Sequence, residues 1–526
     1  MAADASLTSV RYALESGATT EVFPSAPLPG VYGTPPRGAY KEIRMVNEDL
    51  GSDIGMVTSE EIVPDRAPPD NIQTEAGASG NHVSELTGGA STPVGITFND
   101  WWLSALGATA FSTLQFSAVG SMAGTITPSN SGNNVVLVLS TGTWNANFAA
   151  GEFIAFAGFT GVRAVLNSVF RVVSGAGTNT LTVDSGVLAP ASPGTEASAN
   201  VSAALCRSAT PGSIARSWSI ERKYSLASEF AVDAGMVLAG FDVELRPKRP
   251  LRVTWRWIGR QELSFTTTRA LTNETNTITA HATTPGTGTW TYTVGGQTAT
   301  GLAAAITASA LQSAIEALST VGVGNVQVTM SAANLGVAGC VATITFHSAV
   351  GGTNLTTSAS FAGMSGNVHV FAASLQGGLD ALIPAVTSQR VFSSVSDVKM
   401  FAFNKNGNSF FLNSLTLRFK NGAYAQDEQA GTLGPINIGQ GSFSLDGSME
   451  FYYTGKTVFD WAQAFTDTEI SFAASNTAGS TWGMHLPRVN FKNPRRATAG
   501  KDQAVKGTVE FQAAKGAAFL CKLFVL

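Results

Sequence analysis

Gly455-Lys456-Thr457 is the string in this chain that comes nearest to a chemical motif. A phosphate-cradling loop ends in these residue types, because backbone amides and a lysine surround the phosphate oxygens where a helix begins. The full motif needs glycine five residues before Gly455, and that position is Glu450. The string therefore reads as an ordinary turn ahead of a helix. His82, His281, His347, His369 and His485 stand at no metal-ligand spacing from one another or from Cys206, Cys340 and Cys521. The cysteines, far apart in sequence, read as small buried apolar residues. With no Gly-x-Ser-x-Gly elbow, the sequence predicts no catalytic residue, no cofactor and no metal site.

Two charged groups remain. Asp65, Arg66 and Asp70 lie in SEEIVPDRAPPDNIQTEAGASGNHVSE, residues 59 to 85, whose three prolines and two glycines exclude a central strand over most of its length. A loop of that length in a compact domain is expected to bind something, so the three charges are candidates for a contact between subunits. Arg495 and Arg496, in NFKNPRRATAGKDQ, read as an exposed turn rather than a nucleic-acid patch.

The elements that must carry these residues are mainly β. At 526 residues the chain is long enough for about three or four domains. Only 13% of residues are charged, well under the roughly 25% of an average soluble protein, which favours surfaces covered by neighbouring subunits over the alternative of a Ser/Thr-rich solvated surface. The formal net charge of -4 offers no global field to grip phosphate backbones. Neither a leader-like start nor an apolar run of about 18 residues occurs, so assembly in a cytosol-like environment without membrane insertion is expected.

Along the chain, residues 1 to about 50 read as an arm followed by an edge element over Lys41 to Val46. A strand is expected to end near Val63 and to return over His82 to Leu86, and TFNDWWLSAL, residues 97 to 106, reads as a short amphipathic helix. Alternating strands between about 116 and 205 (VVLVL, FIAFAGF, VFRVV, TLTVD) form an inserted small β-domain. Strands resume over 216 to 224, 236 to 245 and 251 to 258. Residues 266 to 375, with the helical stretch ITASALQSAIEALSTV, form a small α/β domain whose Leu311, Ile315 and Leu318 face its core. An internal repeat then relates Met56–Leu106 to Leu417–Phe465, pairing Leu86-Thr87-Gly88 with Leu445-Asp446-Gly447 and Asp100-Trp101 with Asp460-Trp461. Later strands pair VTWRWIG with GTVEFQA. Residues 1–115 plus 206–265 are thus one unit, and residues 376–526 a second.

SEEIVPDRAPPDNIQTEAGASGNHVSEL resembles the region of long-tailed phage tube proteins where an Asp-Arg pair precedes a Gly-containing loop and a Glu-Leu strand. GEFIAFAGF, VFRVVSGAGTNTLTVD, SWSIERKY and MHLPRVNF are similar in turn, so the resemblance touches most of the chain outside 266–375. It implies the major tail tube protein family of phages with long non-contractile tails (siphoviruses), and a non-enzymatic virion protein assembled in the host bacterial cytoplasm. The implied fold is two tail-tube-type β-sandwich units contributing to a ring-forming β-barrel, with the α/β domain as a decoration. The implied partners are the chain itself in rings and stacked rings, a tape measure protein in the lumen, tail terminator and tail-tip proteins, and viral DNA passing without specific binding. Asp65, Arg66 and Asp70 would then bridge stacked rings. If the repeat is a duplication, three chains close a ring of six units; otherwise six chains do, with one half as an outer layer. A receptor-binding or fibre protein at the tail tip is the alternative from another class, and a glycan hydrolase, which needs paired acids in a cleft, ranks third.

Overall fold

The computed structural model describes residues 9–15, 41–59, 71–87, 97–112, 115–116, 122–132, 134–184, 189–190, 193–224, 229–265, 274–280, 286–347, 350, 355–366, 368–375, 391–394, 397–400, 412–426, 434–435, 437–475, 481–498 and 503–525. Strands dominate. The first segment supplies β1 (Ser9–Leu14), β2 (Lys41–Ile43), β3 (Asn47–Glu48), β4 (Gly51–Thr58), β5 (Asn71–Glu85) and helix α1 (Thr97–Leu106). Eight strands, β6 to β13, follow between Gln115 and Leu205. Next come β14 (Arg207–Ala209), β15 (Trp218–Tyr224), β16 (Glu229–Leu245), β17 (Arg252–Gly259) and β18 (Gln261–Phe265). Between Thr275 and Leu375 lie β19 to β26 and helix α2 (Ala308–Glu316). The last segment holds β27 (Val398–Met400), β28 (Leu412–Lys420), β29 (Tyr424–Gln426), β30 (Asn437–Gly439), β31 (Ser444–Tyr452), α3 (Thr457–Gln463), β32 (Thr468–Ser475), β33 (Thr481–Ala497), β34 (Lys506–Ala513) and β35 (Lys522–Val525).

Alternation explains most of these strands. In β17, Val253, Trp255, Trp257 and Gly259 point inward while Arg252, Thr254, Arg256 and Ile258 point out. Three expectations need correcting. SVRYAL, taken as part of an arm, is β1; Val10 and Tyr12 are fully buried, and the strand pairs with β15. The returning strand β5 starts eleven residues before the expected His82 and runs through both glycines. Gly80 tolerates this because the neighbouring chain passes so close that a Cβ would stand 2.5 Å from the Asp49 carbonyl oxygen, at a φ of +141° that disfavours any side chain. Arg495 and Arg496 stand near the end of β33, a seventeen-residue strand, not in a turn.

Ladders order the large sheet. One layer runs β4–β5–β17–β16–β28–β31–β34–β33, with β3 continuing β4 alongside β5. Two smaller layers lie across it: β2–β1–β15–β16–β18 and β27–β32–β33–β35–β14. Strands β16 and β33, both seventeen residues, belong to two layers each. Each pairs in one layer by its first half and in the long layer by its second, with register shifts near the crossing. The core between the layers is continuous from the first segment to the last, including Tyr12, Trp101, Trp102, Trp255, Phe241, Phe419, Phe472 and Trp482. At its centre Trp102 lies 4.5 Å from Trp255 and 5.4 Å from Trp482, ring to ring.

The other two modules have cores of their own. Strands β6 to β13 form one sheet around Trp144, Phe156 and Phe170. This sheet docks on the last segment, where Phe153 meets Phe524 at 4.2 Å and Arg171 bonds Glu469 at 2.9 Å. Strands β19 to β26 form two small sheets over one helix, α2, with Leu311 and Ile315 buried as expected. Here β-structure outweighs the anticipated α/β character, because the Thr-rich segments pair with each other rather than alternate with helices.

Candidate assembly surfaces

The residues nearest to chemical motifs occupy structural places. Gly455 is in the turn before α3, and Lys456 reaches forward to Asp460 at 3.7 Å, an exposed pair one helical turn apart. All three cysteines are buried and free. Among the described residues no group of three His, Cys, Asp or Glu side chains is placed to hold a metal ion.

The ladder does create one contact that sequence spacing hid. Ser471 and His485 face each other across β32 and β33, Oγ to Nδ1 at 2.6 Å. A nucleophile and its base would share that geometry, yet burial, with Arg171 and Lys522 nearby, lowers the imidazole to about 3. Such a ring does not take up a proton near neutral pH, so the pair serves as a buried polar tie. His82, on β5 beside Trp101, is likewise lowered to about 3 by burial.

Assembly surfaces are more informative, and one joint lies within the chain. Antiparallel β16 and β28 join the first and last segments through Gly240↔Lys420, Phe241↔Phe419, Asp242↔Arg418, Val243↔Leu417, Glu244↔Thr416 and Leu245↔Leu415. On the core side Phe241 stacks on Phe419 at 5.0 Å. On the other face Asp242 bonds Arg256 at 3.1 Å, and Arg256 donates to the Phe419 carbonyl at 3.0 Å. Partial burial leaves the Asp242 carboxyl raised, with Arg256 and Arg418 pulling against that rise. Acidic β16 thus meets basic β28.

Either side of this seam, registers correspond without a gap. Asn47 pairs with Val83 as Ser414 does with Glu450, Gly51 with Ser79 as Arg418 with Asp446, and Val57 with Ile72 as Tyr424 with Gly439. The hairpin β3/β4–β5 therefore matches β28/β29–β30/β31 residue for residue. Gly80 falls on Gly447, where a Cβ would meet the Thr416 carbonyl oxygen at 2.3 Å. This corrects the repeat read from sequence: Ala78-Ser79-Gly80, not Leu86-Thr87-Gly88, matches Leu445-Asp446-Gly447. The later pairing of VTWRWIG with GTVEFQA agrees with the buried positions of β17 and β34.

Two edges of the long layer have no strand beside them among the described residues: the outer side of β3/β4, and the second half of β33 on the side away from β34. The first carries Glu48, Asp49 and Asp53; the second carries Lys492, Arg495 and Arg496. Beyond the sheet, the β4–β5 arm holds Ile54, Met56, Val57 and Ile72 more than half exposed. In the matching arm Ile438 is buried against Val237. Asp65, Arg66 and Asp70 lie outside the described residues.

The face of the long layer turned from the core is polar, and its charges answer one another: Arg256 with Asp242, Lys506 with Glu450 at 2.6 Å, Arg252 with Glu85 at 3.8 Å. Paired charges of this kind offer little to a passing polyanion. Residues 282–513 match the family model described as phage tail tube protein; the match takes in most of the module between Thr275 and Leu375 as well as the last segment through β34. No curated protein matches the chain.

Proposed function

We propose, from the premise that this chain is a phage tail tube protein by its segment 282–513, that it stacks into rings whose lumen is the conduit for the genome. The long layer is the ring-forming wall, its polar face the lining and its core face the attachment for the outer layers. The correspondence of the two hairpins about the β16–β28 seam carries this reading. Two units of one design within a chain fill two adjacent places in a ring, so three chains close it with approximate sixfold symmetry. Closure is also what removes the two open edges. Asp65, Arg66 and Asp70 supply contacts between stacked rings. The module between Thr275 and Leu375, with its separate core, decorates the exterior. In the tail the tube encloses a tape measure protein and ends on terminator and tip proteins, as siphovirus tubes do.

Mass per unit length and axial rise, measured on purified tubes, test the proposal. Three chains per rise are expected. Six would overturn the two-unit reading, and discrete spikes in place of open tubes would favour a receptor-binding protein.

A further inference from the structure

The seam inside the chain is also a template. Its two strands are β16, paired on its other side with β17, and β28, paired on its other side with β31. Their counterparts by register are β33, paired with β34, and β3/β4, paired with β5. In the single chain these counterparts are the two edges with no strand paired to them among the described residues, though Ser52 on the first donates to Glu262 of β18 at 2.9 Å.

We propose that the second half of β33 joins the β3/β4 edge of a second copy of this chain, antiparallel and in the register of the β16–β28 seam. This rests on the ring reading and adds to it the strands, the partner and the residue pairs. Transferring the template places Arg495 opposite Gly51 of the next copy, as Asp242 stands opposite Arg418. Arg496 then faces Leu50, Ala497 faces Asp49 and Lys492 faces Asp53. Lys492, Arg495 and Arg496 are exposed, and so is Asp53. The charge logic of the seam is kept with its signs exchanged: acids on β16 meet bases on β28, and bases on β33 meet acids on β3/β4.

A surplus of acid stands behind that edge. Glu48, Asp233 and Glu262 surround the one guanidinium of Arg222, at 3.8, 3.1 and 3.3 Å. Arg222 also donates to the Leu50 carbonyl at 2.7 Å and Glu48 accepts from the Leu50 N–H at 3.0 Å, so a joining strand has to share or displace these two side chains at the middle of the joint. Burial pushes the Asp233 carboxyl up to about 7, so Glu48 and Glu262 carry the acid surplus over the one cation, a local field that attracts a basic strand and repels another copy of β3/β4. The joint is therefore heterologous: each copy offers one edge of each kind, and pairing propagates in one direction until the ring closes.

Gly51 is well suited to the test, since nothing lies within 4 Å of a Cβ built there. Tubes of G51C/R495C are oxidised and run without reductant beside G51C/R496C, in which the cysteines point to opposite faces. Disulfide-linked species in the first variant alone, in a ladder ending at three chains, are expected. Tubes that form normally yet crosslink in neither variant, or equally in both, overturn the joint and leave the ring reading intact. A selective ladder running past three chains supports the joint and overturns three-chain closure.

Should the substitutions themselves block assembly, unsubstituted tubes built from mixed isotope-labelled and unlabelled copies are treated with a carbodiimide. A peptide linking the Lys492 amine to the Asp53 carboxyl, with one label from each copy, is expected. Its absence from intact tubes overturns the proposed register.

Discussion

Helices α1 and α3 open on the same Asp-Trp pair and follow corresponding strands, yet they live in different surroundings. Trp101 is fully buried, and Asp100 accepts from the Tyr12 hydroxyl at 3.0 Å and from Lys41 at 2.6 Å. Strands β1 and β2 supply that cover. On α3, Trp461 is only half-buried, stacked 6.4 Å from Phe491, and Asp460 has its ion pair with exposed Lys456. Local sequence sets where a helix starts; the chain that folds over it afterwards decides what each residue contributes. His82 and Met449, at matching places on β5 and β31, repeat the lesson with a titratable group on one side only.

The largest contrast should appear in the tryptophans. Trp102→Ala empties the centre of the shared core and should cost about 3–5 kcal/mol, whereas Trp461→Ala should cost about 1–2 kcal/mol. Denaturant titration of unassembled protein measures both, and equal losses would mean that α3 is as deeply bound as α1. A pH series is next in size. The folded-state value of His82, about 3, lies below the ordinary 6.5, so the contribution of its neutral form is complete above 6.5 and is lost as pH falls toward 3. His82→Met, which installs the residue of the second hairpin, should remove this loss. Between pH 7 and pH 5 wild type should lose about 2 kcal/mol more than the variant. Parallel pH profiles would show that His82 is protonated in the fold. Smallest is the helix-opening acid: Asp100→Ala should cost about 1–2 kcal/mol and Asp460→Ala under about 0.5 kcal/mol, measured as above. A larger loss at Asp460 would contradict its exposed setting.

How much of this was legible beforehand varies by residue, and the reasons are physical. Helix α1 was readable to the residue, because TFNDWWLSAL carries both its opening signal and its apolar face. The alternation of LRVTWRWI revealed β17 to within one residue at each end. Strand β1 went unread, since six residues of alternation are a weak signal without the β15 ladder that stabilises them. Gly77 and Gly80 read as strand breakers, and at Gly80 the close approach of Asp49 and Leu50 that requires a glycine exists only in three dimensions. The edges that matter for assembly were the least legible. Arg495 and Arg496 look like any basic turn until β34 fixes one side of their strand, the other having no strand beside it among the described residues.

In the ring proposed above, the β16–β28 seam would also limit the mistakes that assembly can make. If each chain brings two wall units already fused, a ring can hold only an even number of them. A ring of single units can err by one, to five or seven, with a modest change of curvature at every joint. A ring of fused pairs must err by two, to four or eight, and spreads a far larger angular misfit over joints whose registers are already set. On the proposed two-unit ring, the seam would act as a parity check on tube diameter. It also lowers the number of bimolecular encounters needed for closure, so that rings should form at concentrations where separate units would remain apart.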